Sequence, residues 1–188
     1  MFVYQESGIY HVFNRGWNHK QIFYSEENYR YLTEKIATTK ERFGIDVIAY
    51  CLMPNHYHLL VQQNSEIPVS KWLQYIFNGY SQAINKQEGR KGTLFEGRPK
   101  HILIEGDKYF QELIAYIHFN PVAAGLVSEA AEWEFSNCQE WLGKRDSTLI
   151  SKHIVDSFIS KTEYKEFLKY YSEIQHEKIL DKFKLEGS

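Results

Sequence analysis

Cysteine is scarce in this chain. Only Cys51 and Cys138 occur in 188 residues, and no Cys-x-x-Cys pair is present, which argues against both a disulfide framework and a thiolate zinc site. Both thiols are expected to be reduced and packed. No apolar run reaches the roughly 18 residues of a membrane span, and Met1–Glu6 lacks the basic and apolar regions of a signal peptide. The expectation is a cytoplasmic protein without a membrane partner. Internal repeats and low-complexity tracts are absent as well. A surplus of one charge is also missing: the net charge of -2 excludes a uniformly basic surface. The charge is nevertheless polarised along the chain. Residues 86–101 set Lys86, Arg90, Lys91, Arg98 and Lys100 against Glu88 and Glu96, whereas residues 102–143 set Lys108 against seven acidic side chains. Screening limits distant charges to about 10 Å at ordinary salt, so the local basic segment can grip phosphates, the alternative being a solvated loop.

Aromatic side chains are plentiful, with 14 Tyr and 12 Phe, and the hydrophobic fraction of 43% suits one buried domain with an appended segment. Gly8–Arg15 reads as a first strand ended by Gly16. Ser25 before Glu26 and Glu27 starts a helix with acidic residues at its positive end, and Tyr29, Leu32, Ile36 and Phe43 give its apolar stripe up to Gly44. The run Val47–Leu52, the turn signal Met53-Pro54-Asn55 and a second apolar run predict a hairpin. A second helix begins near Ser70, with Leu73, Ile76, Phe77, Tyr80 and Ile84 on its inner side. Arg98–Ile104 reads as a strand, Asp107 caps a third helix, and Pro121 ends it. This order predicts an α+β fold, a ferredoxin-like antiparallel sheet with helices packed on it. After Gly143-Lys144-Arg145-Asp146-Ser147 the chain changes character, and Tyr164–Leu168 with Tyr170 and Tyr171 reads as a docking helix. Residues 1–143 are therefore expected to form one domain and residues 144–188 a C-terminal helical extension.

The most informative segment is Leu52-Met53-Pro54-Asn55-His56-Tyr57-His58-Leu59-Leu60-Val61. Strand side chains alternate between faces, so His56 and His58 share one face and Tyr57, Leu59 and Val61 the other. Two neutral imidazoles converging in this way make half of a metal site, although a His-x-His pair alone is also common on partly exposed strands. On the third helix Tyr116 and Asn120 are four residues apart and share a face just ahead of Pro121. They can equally be a packing residue and a helix-end residue. Opposite paired histidines, a phenol oxygen near a divalent cation can attack a phosphodiester, with a carboxamide as an oxygen ligand.

Met53-Pro54-Asn55-His56-Tyr57-His58-Leu59-Leu60 resembles the His-hydrophobic-His motif of the IS200-like single-tyrosine transposases, and further segments resemble the REP-associated branch. These are Tyr10–Gly16, Gly92–Lys100, Tyr116–Val127 and Trp133–Ser136. The resemblance implies a DNA nickase and strand transferase acting on single-stranded DNA next to a hairpin. Tyr116 would be the nucleophile linked to a 5′ phosphate, and His56, His58 and Asn120 would hold Mg²⁺ or Mn²⁺. The local basic segment, read from charge, makes Arg90, Lys91, Arg98 and Lys100 the expected DNA contacts. Ala123 stands where an arginine is expected in many relatives, a departure that leaves any phosphate contact from that position open. The main rival is a hairpin-DNA-binding protein without turnover. A small-molecule metalloenzyme would need a convergent carboxylate, and none is placed comparably. Monomer and homodimer both remain open.

Overall fold

Every residue of β1 (Ile9–Arg15) except its two ends is buried, because this strand lies inside a four-stranded sheet of order β2-β3-β1-β4. The computed structural model describes Gln5 and residues 7–147, 149–150 and 160–173. Along the chain, β1 is followed by α1 (Glu26–Thr39), the hairpin β2 (Ile45–Met53) and β3 (His56–Gln63), α2 (Val69–Gln87) and β4 (Lys100–Leu103). All pairings are antiparallel, which is the ferredoxin-like arrangement expected from the element order. Then come α3 (Asp107–Ala123), a one-turn α4 (Cys138–Trp141) and α5 (Lys161–Glu173). Of the expected C-terminal extension, residues 148, 151–159 and 174–188 lie outside the described residues, as does most of Met1–Glu6. Among the described residues no helix is long and apolar enough to cross a membrane.

Alternation along the strands gives the sheet two different faces. On one, Tyr57 stacks on Phe77 of α2 with centroids 4.3 Å apart, and α2 packs against α1, where the Trp72 indole donates to Thr39 Oγ1 at 3.0 Å. The α2 stripe of Trp72, Leu73, Ile76, Phe77, Tyr80 and Ile84 is buried here, each large side chain contributing about 2 kcal/mol from area removed from water. On the other face lies α3. The outer edge of β2 is covered by the segment after α3: Leu52 N–H donates to the Phe135 carbonyl at 2.9 Å, and the Trp141 indole donates to the Ile48 carbonyl at 3.0 Å. A strand edge that would otherwise template pairing with another chain is closed. Cys51 and Cys138 are both buried and unbridged.

Three local expectations need correction. Pro121 does not end α3: the helix continues to Ala123, because the ring removes only the bond to the Ile117 carbonyl and the Ala124 N–H still bonds back to Asn120 at 2.9 Å. Asp107 is not the cap but the first helical residue, with Gly106 at φ 88° in the cap position, a conformation that favours glycine. The fourth strand spans only Lys100–Leu103. Arg98 and Pro99 stay outside it, and proline has no N–H for the ladder.

α3 is anchored from behind by His118, which is completely buried. Its Nδ1 meets the Tyr164 hydroxyl of α5 at 2.5 Å and its Nε2 meets Asn137 Oδ1 at 2.7 Å. Burial pushes the imidazole down to about 4, whereas an unfolded histidine titrates near 6.5. Between these values the unfolded chain binds the extra proton, so stability is full above about pH 6.5 and falls as pH drops towards 4, by about 3 kcal/mol from this group alone. His58, also held well below its ordinary value by burial, acts in the same direction. Urea midpoints measured from pH 7.5 to 4.5 are expected to fall steadily; a flat midpoint across that range would contradict the neutral buried imidazoles.

Candidate active site

β3 begins with His56 immediately after the Pro54-Asn55 turn, so the first residue of the strand already faces α3. The register places Arg15 opposite His56 and Phe13 opposite His58 on the β1 side, and Met53 and Cys51 opposite them on the β2 side. The two imidazoles stand 5.3 Å apart with their planes at 87°. His58 is buried at 7% exposure and His56 is half-buried. Each ring is oriented through Nδ1. That of His56 donates to Asn55 Oδ1 at 2.8 Å, and that of His58 lies 3.0 Å from Nε2 of His11. Burial holds both imidazoles below the ordinary range, His58 strongly so, with the neighbouring His11 and His56 adding to it. They are neutral at pH 7, the form that can ligate a cation.

α3 brings the second half. The Tyr116 ring lies edge-on to His58, with centroids 5.5 Å apart. One turn on, the Asn120 amide nitrogen donates to the Tyr116 carbonyl at 2.9 Å, and the Asn120 side chain hydrogen-bonds His56, which partly offsets the effect of burial on that ring. The fold thus gathers His56, His58, Tyr116 and Asn120 from two elements more than 50 residues apart. Two imidazole nitrogens and a carboxamide oxygen fit a divalent cation such as Mn²⁺ or Mg²⁺ with positions left for substrate oxygens. Among the described residues no group of three His, Cys, Asp or Glu converges on such a site, and the carboxamide beside the two imidazoles is that of Asn120.

The four basic residues are not gathered in the same way. Arg90, after α2, hydrogen-bonds the Tyr24 hydroxyl and lies 5.8 Å from the centre of its ring, with exposed Lys91 beside it in sequence. Arg98 lines a groove of about 920 Å³ between α2 and the segment before β4, with Asn14, Phe77, Asn78 and Asn85. That groove lies on the α2 side of the sheet, away from the histidines. Lys100 is on the histidine side: it pairs with Phe13 in the ladder, and its ammonium sits 5.8 Å from the Phe13 ring centre. A continuous stretch of sequence is therefore split over three places. Ala123 closes α3.

Two neighbours of the site were not singled out by sequence reasoning. His11 stacks on His58 at 5.2 Å and 18°, and Arg15, ion-paired with Glu96, lies opposite His56. Odd-numbered positions of β1 share the histidine face once β1 pairs with β3 in this register, and only knowledge of that pairing could have found them.

The family model described as "Transposase IS200 like" matches residues 4–120. The chain belongs to this family. A Haemophilus influenzae protein named as a REP-associated tyrosine transposase is 26% identical over 110 residues, which is 53% of this chain and 62% of that relative's length. Among solved structures, the REP-associated tyrosine transposase bound to a REP hairpin superposes with a TM-score of 0.66 at 17% identity, covering 80% of this chain and 95% of the other. That likeness establishes the shared fold. For this IS200-like chain the matched segment includes both histidines, Tyr116 and Asn120, and it stops before α5.

Groups that orient a ligand through its second ring nitrogen typically change metal affinity about 10- to 100-fold when removed. His11→Phe keeps a ring stacked on His58 and deletes the nitrogen. It is expected to weaken Mn²⁺ binding, measured by titration calorimetry, about 10-fold with little change in melting temperature. Unchanged affinity would show that His11 only packs.

Proposed function

We propose that this chain is a metal-dependent single-stranded DNA endonuclease and strand transferase of the REP-associated type, acting beside a DNA hairpin through a covalent 5′-phosphotyrosine intermediate. The observation that carries this reading is the meeting of Tyr116 with His58 and of Asn120 with His56 across the gap between α3 and β3. The name of the H. influenzae relative, and the hairpin bound by the structural neighbour, support a hairpin as the DNA partner.

In this scheme the Tyr116 oxygen attacks a backbone phosphorus and loses its proton to solvent. The new bond joins tyrosine to the 5′ phosphate, and the bond to the 3′ oxygen breaks, that oxygen taking a proton from solvent to become a 3′ hydroxyl. Attack of a 3′ hydroxyl on the phosphotyrosine reverses the step and restores a phosphodiester, so the bond energy is conserved and ATP is not needed. A Mg²⁺ or Mn²⁺ ion held by His56, His58 and Asn120 would supply charge neutralisation at the phosphoryl oxygens. Burial keeps both imidazoles neutral for that purpose, and the bond from the Asn120 amide to the Tyr116 carbonyl ties the ligand to the nucleophile's own helix turn. Arg90, Lys91, Arg98 and Lys100 serve as phosphate contacts, spread as they are, and DNA then tracks across more than one face. Residues 1–143 act as the catalytic unit with 144–188 as its extension, in the cytoplasm where the DNA is, as a monomer or homodimer.

Tyr116→Phe deletes only the attacking oxygen. Incubation of the variant with single-stranded hairpin DNA and Mn²⁺, followed by a denaturing gel, is expected to show no covalent adduct and no cleavage while hairpin affinity stays within about twofold. Persistence of the adduct would assign another of the 14 tyrosines, and a wild-type chain that binds hairpins without ever forming an adduct would establish the binding-only alternative.

Replacing Arg90, Lys91, Arg98 and Lys100 together by alanine is expected to weaken DNA binding without changing sequence preference. The slope of log K against log salt should flatten by up to about 3, the share of four contacts to a single strand. An unaltered slope in fluorescence anisotropy would mean these side chains are solvated and touch no phosphate.

A further inference from the structure

The back of α3 is held by a buried chain of hydrogen bonds through Asn137, His118 and Tyr164. Asn137 Oδ1 accepts from the Tyr50 N–H at 2.6 Å while the Asn137 amide nitrogen donates to the Ile48 carbonyl at 2.9 Å. His118 Nε2 approaches the same Oδ1 at 2.7 Å and must therefore donate. With the ring's proton on Nε2, Nδ1 is the acceptor, and the Tyr164 hydroxyl at 2.5 Å donates to it, with Cys138 Sγ 3.5 Å from the same hydroxyl. His118, Asn137 and Tyr164 are all buried, with exposures of 0%, 0% and 1%. The chain links the backbone of β2 to α3 and α3 to α5 with each of these ring and amide contacts paired.

Tyr116 and Asn120 lie two residues before and two residues after His118, each about 200° around the helix from it. The anchored face and the candidate catalytic face are thus opposite sides of one helix. The turn between them is the weakest in α3, since Pro121 provides no N–H for the Ile117 carbonyl. Its setting depends on tertiary contacts, and the polar ones on this side run through Tyr164.

We propose that Tyr164 is a positioning residue for the active site: its hydrogen bond to His118 sets the rotation and depth of α3, and with them the approach of Tyr116 and Asn120 to the paired histidines. This role rests on Tyr116 and Asn120 acting as proposed above. It places a necessary part of the site in α5, beyond the residues 4–120 that the family model covers.

The test uses the full chain with Tyr164→Phe, which keeps the ring and deletes the donor. Tyr171→Phe, a buried phenol on the same helix outside this network, is the control. Single-turnover adduct formation on hairpin DNA, hairpin affinity and Mn²⁺ affinity are measured on each. Tyr164→Phe is expected to slow adduct formation about 10- to 100-fold, the cost of a small misplacement of reacting groups, and to weaken Mn²⁺ binding through Asn120, with hairpin affinity unchanged. Tyr171→Phe should match wild type. His118→Gln, which still offers one acceptor and one donor, should retain most of the rate that His118→Leu loses, and this pair decides the matter if Tyr164→Phe does not fold. A wild-type rate and Mn²⁺ affinity in folded Tyr164→Phe, or equal slowing by Tyr171→Phe, would overturn the positioning role alone. A wild-type chain that forms no adduct would remove the reading of Tyr116 and this role with it.

Discussion

The ladder between Ile9–Arg15 and His56–Gln63 places Phe13 opposite His58 and Arg15 opposite His56, with no bulge along its length. Because side chains alternate with a period of two, a slip of one residue would turn both histidines toward α2 and bring Tyr57 under α3. Nothing in β3 would tolerate this. Tyr57, Leu59 and Val61 are completely buried against the two-helix layer, and exchanging them for imidazoles would strand polar nitrogens in an apolar core. The hydrophobic packing of one face therefore fixes the chemistry of the other. The bulge in the neighbouring ladder falls between Val47 and Ala49, at the far end of β2 from the site, so the Cys51–His58 and Met53–His56 pairs keep their register.

Burial is also what gives the site its charge state. His56 and His58 are neutral because desolvation penalises the imidazolium, and His11 against His58 reinforces this by bringing a third ring into the same apolar space. The proposed ligand set carries no charge of its own, so the attraction for a phosphodiester would come from the cation and from peripheral basic groups. Arg15 is already neutralised by Glu96, and an exposed pair of this kind contributes little to stability. Lys100, on the histidine side of β4, stands at the strand's exposed start. A neutral centre with cations at its rim suits a substrate whose charge is repeated along a backbone, since the rim can hold flanking phosphates while the reacting one enters the centre.

Much of the framework was legible in the sequence, for physical reasons that differ between elements. The hairpin was readable because Pro54-Asn55 interrupts two apolar runs, and α2 because its apolar residues recur at helical spacing. The pairing of His56 with His58 followed from alternation alone. The end of α3 was misread because a proline in the last turn costs a helix only one hydrogen bond, which a residue-by-residue breaker rule overstates. The basic segment read as one patch, but a chain that leaves α2, crosses the sheet end and enters β4 visits three surfaces within about a dozen residues. His11 and Arg15 were invisible for a different reason. Their relevance comes from strand order, and strand order is a property of long-range pairing that local pattern does not encode.

α3 shows why a buried polar network can matter more than its modest energy. Phe110, Leu113, Ile114, Ala115 and Ile117 are all buried, and all but Ala115 lie on one stripe about 100° wide. Burial of that stripe sets the helix's rotation only coarsely, because it is roughly proportional to area and carries no direction. Hydrogen bonds do carry direction. A rotation of about 100°, one residue's worth, would separate His118 from both Asn137 and Tyr164 and leave buried donors and acceptors unpaired at a cost of about 1–3 kcal/mol each. That penalty adds to the apolar packing in favour of the rotation in which Tyr116 meets His58 and Asn120 meets His56. The geometry at the front of the helix is thus tied to the hydrogen bonds at its back.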